Sequence, residues 1–320
     1  MKSYKSINSL MKHMRNKRTS GISISGSRHK QLLKWDGYYH GYKGYRFYRE
    51  SNKRIPYKTY DEVHAVIEYD MELKAAFYPQ IMFLETSLKN MSLEVLLEVA
   101  GSNRFNEIYT KLIHKSAASS LSHQLRQRDN VYSILTKAYE HSPMIQHFYN
   151  KDDFVPIWAI FEILPLGDFG NLVSALAPEC REKLSVCLGL RQSCDTDHKL
   201  FQKFILTIKD LRNAIAHNSV IFDCRFNNSE NASKTGRAVS NCLGIETNIR
   251  TVSLTGIYDY AVLVVYLLHR LGVSKKVITS FIHSIEACKA NLENKVGRDI
   301  SSHIIPTDSN LVLDKIYSIR

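Results

Sequence analysis

Residues 198–218 read HKLFQKFILTIKDLRNAIAHN, and this stretch decides the fold. On a helical wheel with Arg212 at the origin, Phe201, Phe204, Ile208, Leu211 and Ile215 cluster between about 260° and 340°. Ile205 widens this apolar stripe to about 20°. Arg212, Asn213 and His217 fall at 0°, about 100° and about 140°, with Ala216 among them at about 40°. Three polar side chains thus border one small residue beside the buried stripe. That leaves a notch which a second helix or a sugar–phosphate backbone can approach. Asn213 and His217 are i,i+4 neighbours, so a hydrogen bond between them would fix the orientation and tautomer of the imidazole. Arg212 offers a permanently charged planar fork suited to phosphate.

Outward from this helix the three- and four-residue apolar spacing continues. Towards the N-terminus, residues 61–100 carry Val63, Val66, Ile67, Leu73, Phe77, Ile81, Leu84, Leu88, Val95 and Val99 at helical steps. Asp61 and Glu62 suit a helix start, and Gly101 a stop. The segment FVPIWAIFEILPLGDFGNLVSAL (154–176) reads as a short buried helix, a break at Pro165 and Gly167, and a second helix ending before Pro178. After the central helix, IFDCRF (221–226) and TVSLTG (251–256) resemble short strands around a polar loop, so a small β-hairpin-like insertion is expected over 219–256. Helix returns at Ile257–Leu271 and Lys275–Lys295, and the polar tail 297–320 is expected to be loose. The expectation is an all-α bundle over residues 61–296, preceded by a distinct segment 1–60.

That first segment holds the charge. The net formal charge is +12, yet residues 1–60 contain fifteen Lys and Arg against only Asp36 and Glu50, while residues 61–320 come to −1. A localised positive field attracts a polyanion, most commonly nucleic acid. The same segment includes WDGYYHGYKGYRFYRE (35–50), where rings alternate with cations and glycines. Cations neutralise phosphates while ring faces stack on unpaired bases, a composition suited to RNA or single strands. Arg15, Lys17, Arg18, Tyr42, Lys43, Tyr45, Arg46 and Arg49 are the candidate RNA-contacting residues. The structural alternative is that these tyrosines pack the segment onto the rest of the chain.

Other classes are disfavoured. The six cysteines include no C-x-x-C pair, and Cys180, Cys187 and Cys194 recur at a spacing that fits half-buried helix positions. The basic start has no apolar stretch behind it, and the longest apolar run, Ala261 to Leu268, is far shorter than a membrane span. A chain of the reducing cytoplasm is expected. P-loop, paired-Asp and H-E-x-x-H patterns are absent, so neither a cofactor nor a metal is implied.

The trio suits metal-independent RNA cleavage. His217 would take the proton of a 2′-hydroxyl or give one to the departing 5′ oxygen, and Arg212 would neutralise charge on the phosphorus-centred transition state. One histidine serves poorly as base and acid in a single step, so two copies meeting in a symmetric homodimer are expected. Chance alone predicts about 0.7 R-x4-H occurrences in a chain of this composition, and a second one does occur, Arg298 to His303. That copy lacks the following Asn. The bland reading of the first copy is an Arg and a His at a helix C-terminus.

LRNAIAHN resembles the R-N-x-x-x-H signature of the HEPN superfamily of helical ribonucleases. The order of blocks resembles the Abi family of bacterial abortive-infection proteins, particularly its AbiD/AbiF branch. An aromatic YY-x(n)-Y-x-F block matches GYYHGYKGYRFYRE, and a helix with a central acidic residue matches FYPQIMFLETSLKNM. A W-x-x-x-E-x-x-x-x-G block matches through Trp158, Glu162 and Gly167. The motif helix then runs into an Asn-x-x-x-Phe exit, here Asn218 and Phe222. The likeness covers about residues 30–225. It implies a HEPN-like helical bundle, endoribonuclease activity as a toxin in antiphage defence, dimerisation, and restraint by a small RNA or an antitoxin. Arg212, Asn213 and His217 carry over as catalytic positions. A non-catalytic RNA-binding protein, holding a structured non-coding RNA in the same notch, is the competing reading.

Overall fold

The computed structural model describes residues 5–16, 21–113, 118–152, 154–227, 230–249 and 252–319, and its regular structure is helical apart from isolated bridges. In chain order the helices are α1 (Ile7–Arg15), α2 (Gly26–Asp36), α3 (Tyr60–Ala100), α4 (Phe105–Leu112) and α5 (Ala118–Tyr139). They continue with α6 (Pro143–Asp152), α7 (Ile157–Ile163), α8 (Leu166–Ala175), α9 (Pro178–Cys187) and α10 (Leu200–Ala216). The remainder are α11 (Glu230–Thr247), α12 (Ile257–Arg270), α13 (Lys275–Lys295), α14 (Arg298–Ile304) and α15 (Ser309–Ile319).

The long helix α3 organises the rest. Its start is a reciprocal cap: the Glu62 backbone N–H donates to the Thr59 hydroxyl (3.3 Å), and the Thr59 backbone N–H donates to the Glu62 carboxylate (2.8 Å). Its stop is Gly101, whose φ of 61° is the left-handed geometry that glycine adopts without strain. Between them 41 residues span about 60 Å. Tyr69, Leu73, Phe77, Ile81, Leu84 and Leu88 form a buried seam along it. Against α3 pack α13, α10, α12 and α9. Every residue of α12 from Ile257 through Leu268 is buried, as expected for a helix apolar on all sides. The apolar segment 154–176 forms α7 and α8, broken at Pro165 as its prolines dictate.

Residues 21–60 seat on α3 through a polar clamp. The Tyr60 hydroxyl donates to Asp36 (2.9 Å), and His64 Nδ1 lies 3.1 Å from the same carboxylate, whose bond raises the His64 pKa. Residues 37–43 continue α2 as a wider π-helical turn. A Cβ at Gly41 would sit 2.7 Å from the Asp36 side chain, and one at Gly44 2.2 Å from the His40 carbonyl oxygen, so the turn closes only with glycine at both places.

Two expectations need correction. The hairpin over 219–256 is not formed: its centre is α11, packed on α10. Cys224 takes a left-handed φ of 52°, which breaks the extended backbone of IFDCRF, and Arg225–Asn227 closes as a single 3-10 turn. Val239, Cys242 and Leu243 are buried at helical spacing behind the polar stretch that resembles a loop. The tail is not loose either. Ile300 and Ile304 of α14 and Val312, Leu313 and Ile316 of α15 are buried, with α15 against α12 and α13.

Among the described residues no helix is long and apolar enough to cross a membrane.

Candidate functional site

The motif helix α10 buries Phe201, Phe204, Ile205, Ile208 and Leu211, which is the stripe the wheel drew. At its C-terminal end Ala214 is buried and Ile215 only half-buried, so the apolar face turns slightly as the helix ends. The helix closes at His217, whose backbone N–H donates to the Asn213 carbonyl (3.0 Å). Asn218 follows with a φ of 51°, and Ser219 N–H returns to the Ala214 carbonyl (2.8 Å). A left-handed residue just past the helix satisfies carbonyls that would otherwise lack a partner. Ala216, His217 and Asn218 all face solvent here.

Arg212 is aimed from the neighbouring helix. Its Nε donates to Glu85 of α3 (3.2 Å), and Lys89, one turn further, donates to the other oxygen of that carboxylate (3.1 Å) and to the Leu164 carbonyl (2.7 Å). Glu85 and Lys89 are nearly buried, whereas the Arg212 side chain retains about a third of its exposure (34%). The acidic residue at the centre of FYPQIMFLETSLKNM therefore orients the guanidinium through Nε and not through its terminal nitrogens. One of them, Nη1, donates to Asn213 Oδ1 (3.3 Å). Asn213 is thus engaged by Arg212 and not by His217, contrary to the spacing argument. The His217 ring makes no side-chain hydrogen bond among the described residues.

A second polar chain braces the exit of the helix. Asp70 of α3 is fully buried and accepts the backbone N–H groups of Ile221 (2.8 Å) and Phe222 (2.7 Å), the Tyr45 hydroxyl (2.8 Å) and the Lys74 ammonium (2.8 Å). Lys74, itself buried, donates to Asn218 Oδ1 (2.8 Å), and Asn218 Nδ2 meets His40 Nε2 (3.2 Å). The chain of contacts brings His40, from the π-helical turn, beside the residue that follows His217. Sequence reasoning named none of Asp70, Lys74 and His40 as site residues. The one local signal was the i,i+4 spacing of Asp70 and Lys74.

The aromatic segment divides into core and surface. Tyr42 and Tyr45 are fully buried, so neither presents a ring face to a base in this structure. Burial, with the Asp70 carboxylate adjacent, pushes the Tyr45 hydroxyl far above its ordinary pKa. Tyr45 and Tyr48 pack on Phe222 (ring centroids 6.0 Å each), which ties the segment to the motif exit. The exposed rings are instead Trp35 and Tyr39, at 72% and 79% of full exposure. Arg49 is a brace: its backbone N–H donates to Asp223 (2.6 Å) and its guanidinium to the Thr255 carbonyl (2.6 Å). Arg225 answers from the other side, donating to the carbonyls of Gly44 (2.6 Å) and Phe47 (2.8 Å) and pairing with Asp223. Lys43 stands over the Tyr38 ring and Arg46 over the Phe47 ring, both half-buried. Arg15 is exposed at the end of α1, and Lys17 and Arg18 lie outside the described residues.

Trp158 and Glu162 are exposed on α7, while Gly167 lets α8 approach Lys209 of α10; an added Cβ would lie 3.2 Å from the lysine chain. Among the described residues no three His, Cys, Asp or Glu side chains are grouped as metal ligands.

These features define an all-helical protein whose charged aromatic N-terminal segment is locked against the end of an R-N-x-x-x-H helix. The chain belongs to the Abi-like protein family, whose model matches residues 31–223, from within α2 to Asp223, and this points to abortive-infection defence. No curated protein and no solved structure matches it.

Proposed function

We propose that the protein is a metal-independent endoribonuclease of the HEPN type, acting as a toxin in abortive infection and held in check by a small RNA or an antitoxin. The observation that carries this reading is the exposed end of α10, where His217 is exposed and Arg212 is held by Glu85 with its side chain partly exposed. In the proposed reaction a 2′-oxygen attacks the adjacent phosphorus, Arg212 neutralises the charge that accumulates, and His217 moves a proton to or from a reacting oxygen. The products are a 2′,3′-cyclic phosphate and a 5′-hydroxyl. RNA reaches the site along the basic N-terminal segment, and a homodimer placing two such ends together is the expected active form.

The competing reading is a non-catalytic protein that holds a structured RNA against the same notch. One observation favours it: Asn213, expected to fix the imidazole, is bonded to Arg212. Incubating labelled RNA with purified protein in EDTA, alongside His217→Ala, separates the two. Cleavage by wild type alone, leaving cyclic phosphate ends, is the expected result. Tight binding without cleavage by either protein would replace the nuclease with the binding protein.

A further inference from the structure

A transesterification at phosphorus needs one group to accept the 2′-hydroxyl proton and another to protonate the leaving 5′ oxygen. A single imidazole cannot do both in one displacement, and the histidine of the motif supplies one. The turn that follows it points to the other.

Asn218 lies between two side chains whose chemistry fixes its orientation. Lys74 has only protons to give, so the Asn218 atom facing it at 2.8 Å is the amide oxygen. The atom facing His40 at 3.2 Å is then the amide nitrogen, which only donates. His40 Nε2 must therefore accept, and the ring carries its proton on Nδ1. Lys74 cannot turn away, because it is buried and paired with buried Asp70 (2.8 Å). The contacts thus hold a bare imidazole nitrogen at the surface. The ring stands in place because Gly41 and Gly44 allow its π-helical turn to close where any Cβ would collide.

Asn218 also follows His217 directly. With consecutive Cα atoms about 3.8 Å apart, His40 Nε2 lies within about 11 Å of the His217 Cα. Both rings are exposed. That limit puts His40 Nε2 and the His217 backbone at the same end of α10, where one ribose–phosphate linkage would meet both rings.

We propose that His40 is the second proton carrier of the site, contributed by the same chain as His217, so that proton transfer does not need the second copy's histidine; this rests on the ribonuclease reading above. The 2′-hydroxyl displaces the Asn218 amide as donor to His40 Nε2, and its proton passes to that nitrogen as the 2′-O–P bond forms. The P–O5′ bond breaks, and the leaving oxygen takes a proton from the His217 imidazolium. A cyclic phosphate and a 5′-hydroxyl leave, with His40 protonated and His217 neutral. Exchange with water restores both.

The test is cleavage of labelled RNA by wild type, His217→Ala, His40→Ala and His40→Gln, with RNA affinity measured in parallel. Glutamine keeps an acceptor for Asn218 and so preserves the turn, but it carries no exchangeable ring proton. Both His40 variants are expected to lose about 10²–10³-fold in cleavage rate with RNA affinity unchanged. Added imidazole should restore part of the rate in His40→Ala, where the ring's space is vacated, more than in His40→Gln. Cleavage by His40→Gln within threefold of wild type would overturn the proposal, leaving His40 a mere brace. If His217→Ala is inactive in that same experiment, the ribonuclease reading survives and only the role of His40 falls. Wild type that binds RNA without cutting it would remove both.

Discussion

Replacing Asp70 by asparagine tests whether the buried polar chain holds the motif exit in place. The introduced amide would retain one carbonyl oxygen, enough to receive the Ile221 and Phe222 backbone N–H groups now bonded at 2.8 and 2.7 Å. Its other atom would be an NH2 group directed at the Lys74 ammonium and the Tyr45 hydroxyl, which both now donate to the carboxylate. Lys74 would be a buried cation facing a donor. Removing one member of a buried ion pair typically costs about 3–5 kcal/mol, because the remaining charge has lost both its solvent and its partner. A total stability of about 5–15 kcal/mol would fall by a large fraction. Adding Lys74→Met removes the stranded charge, and the double variant should return to within about 1–2 kcal/mol of wild type.

Urea unfolding with linear extrapolation reads these differences for the wild type, both single variants and the double variant. A loss under about 1 kcal/mol for Asp70→Asn would refute the reasoning, as would a double variant no more stable than Asp70→Asn. Function should not recover with stability. In the double variant Asn218 has lost the cation that orients its amide, so RNA cleavage should stay well below wild type while the fold is restored. Recovery of both together would show that the chain stabilises without positioning anything.

Glu85→Gln should lower the cleavage rate about 10–100-fold, because Arg212 loses the carboxylate that aims it, while RNA affinity is equal or tighter with one negative charge gone; a parallel loss of affinity would contradict that division. Substituting Ala at Arg15, Lys17 and Arg18 together should weaken RNA binding and reduce the slope of log K against log salt by up to about 2. An unchanged slope would remove those residues from the RNA path. The His64–Asp36 clamp should give stability a pH dependence of definite sign. The bond to Asp36 raises the His64 pKa above 6.5, so its contribution is complete below that value and is lost as pH rises through the higher folded value. The gap in unfolding free energy between wild type and His64→Gln should therefore be larger at mildly acid than at mildly alkaline pH. A gap independent of pH would mean that His64 is held as a neutral ring.

Local chemistry made much of this fold legible. Asp61, Glu62 and Gly101 mark the ends of α3 within a residue or so, and the prolines at 156, 165 and 178 separate α7, α8 and α9. The stripe on α10 was equally plain. The failures have a common origin in signals that are not local. Behind NNSENASKTG the buried Val239, Cys242 and Leu243 carry the period of α11, and the β-branched start of IFDCRF outweighed them. Composition counted the tyrosines of residues 38–48 without showing which face inward. A π-helical turn, set by two close glycine contacts, buries Tyr42 and exposes Tyr39. In the site, Arg212, Asn213 and His217 were visible from spacing. Their supports were not, because Glu85 lies 127 residues from Arg212 and His40 lies 178 from Asn218.

Those long-range contacts also bear on how charge and chemistry meet. In the sequence the +13 segment and the motif are separated by some 150 residues, and nothing in either requires them to touch. The fold joins them at three points: Asp70 receives Tyr45 together with the 221–222 backbone, Asp223 receives Arg49 and Arg225, and Asn218 meets His40. Each joint pairs a residue from the aromatic block with one at or just beyond the end of α10. Residues 40–49 of the segment are therefore held against the end of α10 and not tethered at a distance. Under the proposed function an RNA drawn to the first 60 residues arrives beside Arg212 and His217 without a further search. Under the same proposal an inhibitory RNA or antitoxin would act there, since a polyanion bound along the segment would cover the site it adjoins. On the proposed chemistry, separating substrate from inhibitor would depend on whether the 2′-hydroxyl can be brought between the two imidazoles, and a structured RNA that cannot flex there would bind without being cut.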